Sequence, residues 1–174
     1  MPETEAALWT PPAALEKPEP SAYDALRAVP LFADLKSSEL KRLLRIMHER
    51  TYQPGEVIFR EGDPGAGMYI IKRGVVSIVI KVAGGERELA RLTDRQFFGE
   101  MALLEDAPRS ASSVAADRTE LIGFFEPDLE TLLERDAKLG SKVLWNLAKL
   151  MATRVRLTNE ALKAQRQPAA GEGR

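Results

Sequence analysis

Residues Phe98 to Ser112 carry the side chains of this chain best suited to chemistry; they read Phe-Gly-Glu-Met-Ala-Leu-Leu-Glu-Asp-Ala-Pro-Arg-Ser-Ala-Ser. Gly99 lets the backbone turn and approach a ligand closely. Glu100 to Leu104 can form one short helical turn whose free N–H groups suit an anion. Arg109 offers a planar fork that matches phosphate oxygens and stays charged at any working pH. Glu100, an acceptor only when ionised, suits a sugar hydroxyl rather than a phosphate. One acceptor for a hydroxyl and one cation for a phosphate, nine positions apart, fit a cyclic nucleotide better than a linear triphosphate. A surface helix with a Glu100–Arg109 ion pair explains neither Gly99, nor Pro108, nor the small run Ser110-Ala111-Ser112-Ser113.

The stretch resembles the phosphate-binding cassette of the cyclic nucleotide-binding domain family. That pattern runs F-G-E, two residues, a small apolar L-L-like step, a short variable stretch, then P-R and small residues. The likeness extends over roughly Leu31 to Leu162 and includes the run from Gly55 through Gly74 and Val76. The resemblance implies a role at each matching position. Glu100 accepts from the ribose 2′-hydroxyl, with Gly99 allowing the approach and Met101 within the site. The N–H groups of Ala102, Ser110 and Ala111 hold phosphate oxygens, and Arg109 pairs their charge. Leu92 and Ala90 flank base or sugar. The segment Met151 to Glu160 resembles the matching helix of the bacterial catabolite activator proteins, where a threonine and the polar residue after it reach the adenine, one from each subunit. Thr158 and Asn159 fall on those positions, with Asn159 in place of the more familiar serine. Thr158 reads equally well as a polar residue that sets register in a helix seam.

These residues need a scaffold. A chain of 174 residues with 44% apolar residues suits about one domain. The absence of cysteine excludes disulfides, thiol nucleophiles and cysteine-ligated metals, and fits a cytoplasmic setting. A net charge of −1 argues against broad nucleic-acid binding. No apolar run approaches the ~18 residues of a membrane span, and the acidic N-terminus lacks a signal pattern.

Residues 1–20 read as a proline-rich disordered tail in which Trp9 is a stray aromatic. Ser37 is placed as the N-cap of an amphipathic helix over Ser38 to Glu49, on Leu40, Leu43, Leu44 and Met47. From Thr51 to Phe125 the period changes to short β-rich runs, separated by Pro54-Gly55, Gly62-Asp63-Pro64-Gly65, Gly74 and Gly84-Gly85. Many short strands with regular turns predict a closed barrel or jelly roll. Pro127 then opens a short helix to about Arg135. Asp136 caps a long one running to about Gln165, and residues 166–174 read as a loose tail. The expected class is therefore α+β: a jelly-roll core within residues 21–135 behind a helical lead-in, with a long helix over 136–165.

On that helix Leu144, Ala148, Met151, Val155, Thr158 and Leu162 recur at alternating spacings of four and three, a heptad seam. It predicts a homodimer contact through the far half of the helix, while Leu139, Val143 and Leu147 cover the barrel; the family resemblance implies that this helix also closes over the base as a lid. Too little chain follows Gln165 for a helix-turn-helix domain, so direct DNA binding is not expected and the output goes to an effector protein in trans. Enzymatic readings are weak. His48, the only histidine, sits on or beside the first helix, Glu105 and Asp106 are loop charges, and a metal site is improbable. The expected function is a cyclic mononucleotide sensor, for cyclic AMP or else cyclic GMP, with no further cofactor. The alternatives are a dimeric jelly-roll scaffold that binds no nucleotide and a cyclic di-GMP sensor.

Overall fold

The computed structural model describes residues 20–166. Trp9, the proline-rich stretch around it and the C-terminal tail lie outside the described residues. Helix α1 (Ala22–Ala28) is N-capped by Ser21, whose Oγ accepts from the Asp24 N–H at 3.1 Å. A 3-10 turn (Pro30–Phe32) leads to α2 (Ser37–Leu44).

Helix α2 differs from expectation at both ends. Lys36, not Ser37, is the N-cap residue, and its N–H donates to Oε2 of Glu39 at 2.7 Å. The Ser37 hydroxyl instead accepts from Tyr23 at 3.0 Å. The helix stops at Leu44, and His48–Tyr52 forms strand β1. Its sequence, HERTY, alternates no apolar residues, so only pairing with the last strand makes it a strand.

Seven further strands follow: β2 (Val57–Phe59), β3 (Gly67–Arg73), β4 (Val76–Val82), β5 (Gly85–Leu92), β6 (Phe97–Phe98), β7 (Ser112–Ala115) and β8 (Thr119–Phe125). They form two antiparallel sheets, ordered β1-β8-β3-β6 and β2-β7-β4-β5, a jelly-roll arrangement. A short 3-10 turn, Glu100–Leu103, joins β6 towards β7. Helix α3 (Glu126–Arg135) and the long α4 (Ala137–Arg166) close the chain. Asp136 caps α4 as expected, its Oδ1 accepting from the Leu139 N–H at 3.2 Å.

Sheet alternation divides the apolar residues between two cores. Ile122 and Phe124 of β8, with Met68 and Ile70 of β3, face outward onto a helical layer. Leu26, Phe32, Leu40 and Leu43 meet them there, together with Leu139, Val143 and Leu147 of α4. Their neighbours Leu121 and Ile71 face the barrel interior with Tyr52, Val76 and Phe98. Burying a side chain of this size contributes about 1.5–3 kcal/mol. The first turns of α4 therefore belong to the core. Beyond Met151 the helix stands clear of it, and Val155, Leu157 and Leu162 are exposed. The edge strand β5 is protected by charge, carrying Glu86, Arg87, Glu88 and Arg91 on an almost wholly exposed strand.

Candidate functional site

Between β6, the 3-10 turn and the loop before β7 lies a cavity of about 320 Å³. Phe59, Ile78, Leu92, Phe97 and Phe98 form its apolar wall, and Gly99, Glu100, Arg109, Ser110 and Ala111 its polar one. Burying charge in such a place is costly unless each group has a partner. Glu100 is 2% exposed and Arg109 8% exposed, so their partners define the site.

Arg109 is held from both ends. Its backbone N–H donates to the Asp63 carbonyl at 2.8 Å, and its own carbonyl accepts from the Gly62 N–H at 2.9 Å. Pro108 bridges Pro64 beside this clamp. Nη1 of the guanidinium donates to the Gly99 carbonyl at 3.0 Å and Nη2 to the Gly67 carbonyl at 2.8 Å. The plane lies over the Phe59 ring, 4.1 Å from its centroid. Burial pushes the Arg109 pKa down, and the nearby Tyr69, Glu100 and Asp63 push it back up. The guanidinium remains a cation. Nε is buried with no partner. An arginine anchored to two carbonyls and still holding an unsatisfied donor is suited to an anionic oxygen.

Gly99 makes this seat possible. It adopts φ +77°, in the left-handed region, and a Cβ there would lie 2.8 Å from Arg109 Nη1 and 3.2 Å from the Gly67 carbonyl. Gly65 plays a similar part beneath the turn, where a Cβ would meet the Ala102 Cβ at 2.7 Å and the Ala107 carbonyl at 2.9 Å.

The partner of Glu100 comes from α4. Its Oε1 accepts from Nη1 of Arg154, which is itself half exposed and lines the cavity. The Arg154 guanidinium also lies 5.4 Å from the centroid of Phe97. The cavity therefore holds one buried carboxylate, one buried guanidinium and a second cation delivered by the last helix.

The structure brings together Gly99, Glu100, Met101, Ala102, Arg109, Ser110, Ala111 and Leu92, all of which line this cavity. Ala90 lies outside the lining, exposed on β5 opposite Ile78 of β4. The Ala102 N–H is already engaged with the Gly99 carbonyl at 3.3 Å, a long bond that closes the 3-10 turn. Thr158 and Asn159 are exposed on α4 beyond Arg154 and do not line the cavity of a single chain. Glu105 reaches the rim, while Asp106 does not. His48, expected on or beside the amphipathic helix, lies in β1 and is paired with Asp128 at 3.3 Å. Arg154, Phe59 and Phe97 were not anticipated. Arg154 had a signal, because it continues the core-facing row Val143, Leu147, Leu150 at the same helical spacing.

Among the described residues no helix is long and apolar enough to cross a membrane, and no cluster of acidic and histidine side chains could hold a metal.

Comparisons with known proteins agree with this geometry. The family model described as the cyclic nucleotide-binding domain matches residues 49–136. The chain is 39% identical over 132 residues to the cyclic AMP receptor protein of Thermus thermophilus, a match covering 75% of this chain and 59% of that protein. It resembles the crystal structure of the Thermus thermophilus catabolite activator protein with a TM-score of 0.70 at 38% identity, over 78% of this chain and 62% of that one. The regulatory domain of Toxoplasma gondii PKA, a co-crystal structure with cAMP, gives a TM-score of 0.58 at 28% identity, over 63% of this chain and 42% of that one. The chain thus spans less than two thirds of these relatives' own lengths. With a jelly roll, a buried Glu100 and Arg109 around one cavity, and a family match over half its length, the chain belongs to the cyclic nucleotide-binding domain family.

Proposed function

We propose that this chain is a cyclic AMP sensor that passes its occupied state to a separate effector protein through α4. The carrying observation is the pair of buried charges on one cavity wall, Arg109 with an unsatisfied Nε and Glu100 with only Oε1 engaged by Arg154. The phosphate pairs with Arg109, aided by the N–H groups of Ser110 and Ala111. The Ala102 N–H joins them if it leaves its long bond to Gly99. The ribose 2′-hydroxyl donates to Oε2 of Glu100. The base rests against the apolar wall at Leu92 and Ile78.

In this reading one carboxylate serves both the ligand and α4. Occupancy of Oε2 changes the environment of the Glu100–Arg154 pair and so biases the position of α4. A ligand shifts such an equilibrium only through its unequal contacts with the two states. Thr158 and Asn159 would reach a base only from a second copy paired along α4. The homodimer is therefore part of the proposal, and so is the preference for cyclic AMP over cyclic GMP.

Calorimetry of the purified chain against cyclic AMP, cyclic GMP and cyclic di-GMP tests the reading. Saturable binding of cyclic AMP that is lost in Arg109→Ala supports it. No heat with any mononucleotide, or tighter binding of cyclic di-GMP, overturns it.

A further inference from the structure

Helix α4 is far more basic than the rest of the chain. Over Ala137–Arg166 it carries seven lysines and arginines against a single carboxylate, Glu160, in a chain whose net charge is −1. The body it packs on is correspondingly acidic. At about 100° per residue, Lys138, Trp145, Lys149, Ala152, Arg156 and Lys163 fall within one narrow strip of the helix. All six are exposed. The strip faces away from the buried row Leu139, Val143, Leu147 and also lies to one side of the apolar seam through Leu144, Met151 and Val155. In the heptad of that seam Lys138, Trp145 and Ala152 take e positions at its edge and Lys149, Arg156 and Lys163 take b positions, so two-fold pairing leaves the b row open to solvent and borders the row of Trp145.

Trp145 sets this strip apart from an ordinary solvated face. It is 65% exposed, and the Lys149 ammonium lies 5.7 Å from its ring centroid. Among the described residues Lys138, Arg156 and Lys163 make no ion pair, whereas Lys142 on the neighbouring row is held by Glu39 at 3.0 Å. Tryptophan and arginine are the side chains that most often anchor protein interfaces. A planar apolar anchor flanked by free cations complements an acidic segment carrying an apolar residue.

We infer that the solvent face of α4 is a docking surface for an acidic protein segment, anchored on Trp145 and steered by Lys149 and Arg156. The helix that would carry this partner also delivers Arg154 to the nucleotide cavity. The docking itself does not depend on the nucleotide reading, and the two can fail separately.

The test uses the full chain with Trp9→Phe, so that Trp145 is the only emitting tryptophan. The probe is a short synthetic peptide of Glu and Asp with a central pair of leucines. Its titration is expected to shift Trp145 emission to the blue. Lys149→Glu with Arg156→Glu should weaken binding about tenfold or more. Trp145→Ala, followed by anisotropy of labelled peptide, should weaken it to a similar degree. Cyclic AMP calorimetry on the same variants should match the parent, which separates a failure here from a failure of the nucleotide reading. Three outcomes overturn the proposal. The all-acidic peptide without leucines binds equally well, leaving only a polyanion-attracting strip. Duplex DNA binds more tightly than the peptide. Or Trp145 in the free protein is already blue-shifted and shielded from a soluble quencher, because another part of the chain covers it.

Discussion

The carboxylate of Glu100, at the start of the 3-10 turn, is ion-paired with the guanidinium of Arg154, which arrives from α4 fifty-four residues later. Glu100 is almost wholly buried, while Arg154 is open to solvent on one side. The pair, with the Arg154 guanidinium also over Phe97, ties the cavity to the last helix. It gives α4 a reason to register what happens in the cavity.

Removing Arg154 should therefore cost both stability and communication. Arg154→Gln leaves a buried carboxylate without its cation. Because Arg154 is partly solvated, the expected loss is on the order of 1–3 kcal/mol rather than the larger figure for a fully buried pair. Glu100→Gln in the same background should recover part of it. A double-mutant cycle in urea measures the coupling, and additive single effects would show that the contact carries no energy.

Arg109→Ala should weaken cyclic AMP binding by about 2–4 kcal/mol, since a charge-assisted interaction in a partly closed pocket is lost. Arg109→Lys should restore only a fraction. A lysine cannot hold the Gly99 and Gly67 carbonyls and also present a fork to the phosphate. Calorimetry decides between these, and an alanine variant that binds like the parent removes Arg109 from the site.

Gly99→Ala should damage the same site without touching a charge. The left-handed backbone costs a non-glycine residue about 1–2 kcal/mol, and the new methyl group would press on Nη1 of Arg109. The expected result is a lower melting temperature together with weaker nucleotide binding. A variant that loses stability yet keeps full affinity would mean that the Arg109 seat adapts.

The parts of this molecule legible in its sequence are those fixed by local chemistry. The Gly99-Glu100 and Pro108-Arg109 pairs mark the cassette because a left-handed glycine and a clamped arginine are local requirements. Strands β3 and β8 show as apolar runs because both faces of their sheet are covered, by barrel core and by helices. Strand β1 was hidden because His48 to Tyr52 takes its conformation from a partner more than sixty residues away. Strand β6 is only Phe97–Phe98, too short to have a period. Arg154 lies off the apolar seam of Leu144, Met151 and Val155 and by itself carries no mark of a site residue in the sequence. Its place on the core-facing row has meaning only once Glu100 is known to wait at the end of that row.

Acid should expose the contribution of Glu39, which fastens α2 to α4. The Lys36 N–H donates to its carboxylate at 2.7 Å and the Lys142 ammonium at 3.0 Å. First the backbone bond and then the lysine hold the Glu39 pKa below its ordinary value. A depressed carboxylate stabilises the fold fully above its unfolded pKa of about 4.3. That contribution is lost as pH falls through the lower folded value. Glu39→Gln should therefore lower the urea midpoint at neutral pH, and the gap to the parent should close on acidification below about pH 4.3. A gap that is constant with pH would leave Glu39 with packing and capping roles only.

The far half of α4 should pair with a second copy. Val155 and Leu162 are exposed beyond the point where the helix leaves its own core, in line with half-buried Met151 and exposed Leu144. A stripe of this kind left in water is unfavourable, and a two-fold arrangement would bury it against itself. Met151→Glu with Val155→Glu would set like charges against each other across that axis. The parent is expected to sediment as a dimer at tens of micromolar and the variant as a monomer. In the monomer Thr158 and Asn159 lose any route to a base in the neighbouring cavity. The variant should then bind cyclic AMP more weakly and discriminate less between cyclic AMP and cyclic GMP, although Glu100 and Arg109 are untouched. A parent that is monomeric with and without nucleotide would retire the dimer, and base selection would then rest on Leu92, Ile78 and the rest of the barrel wall.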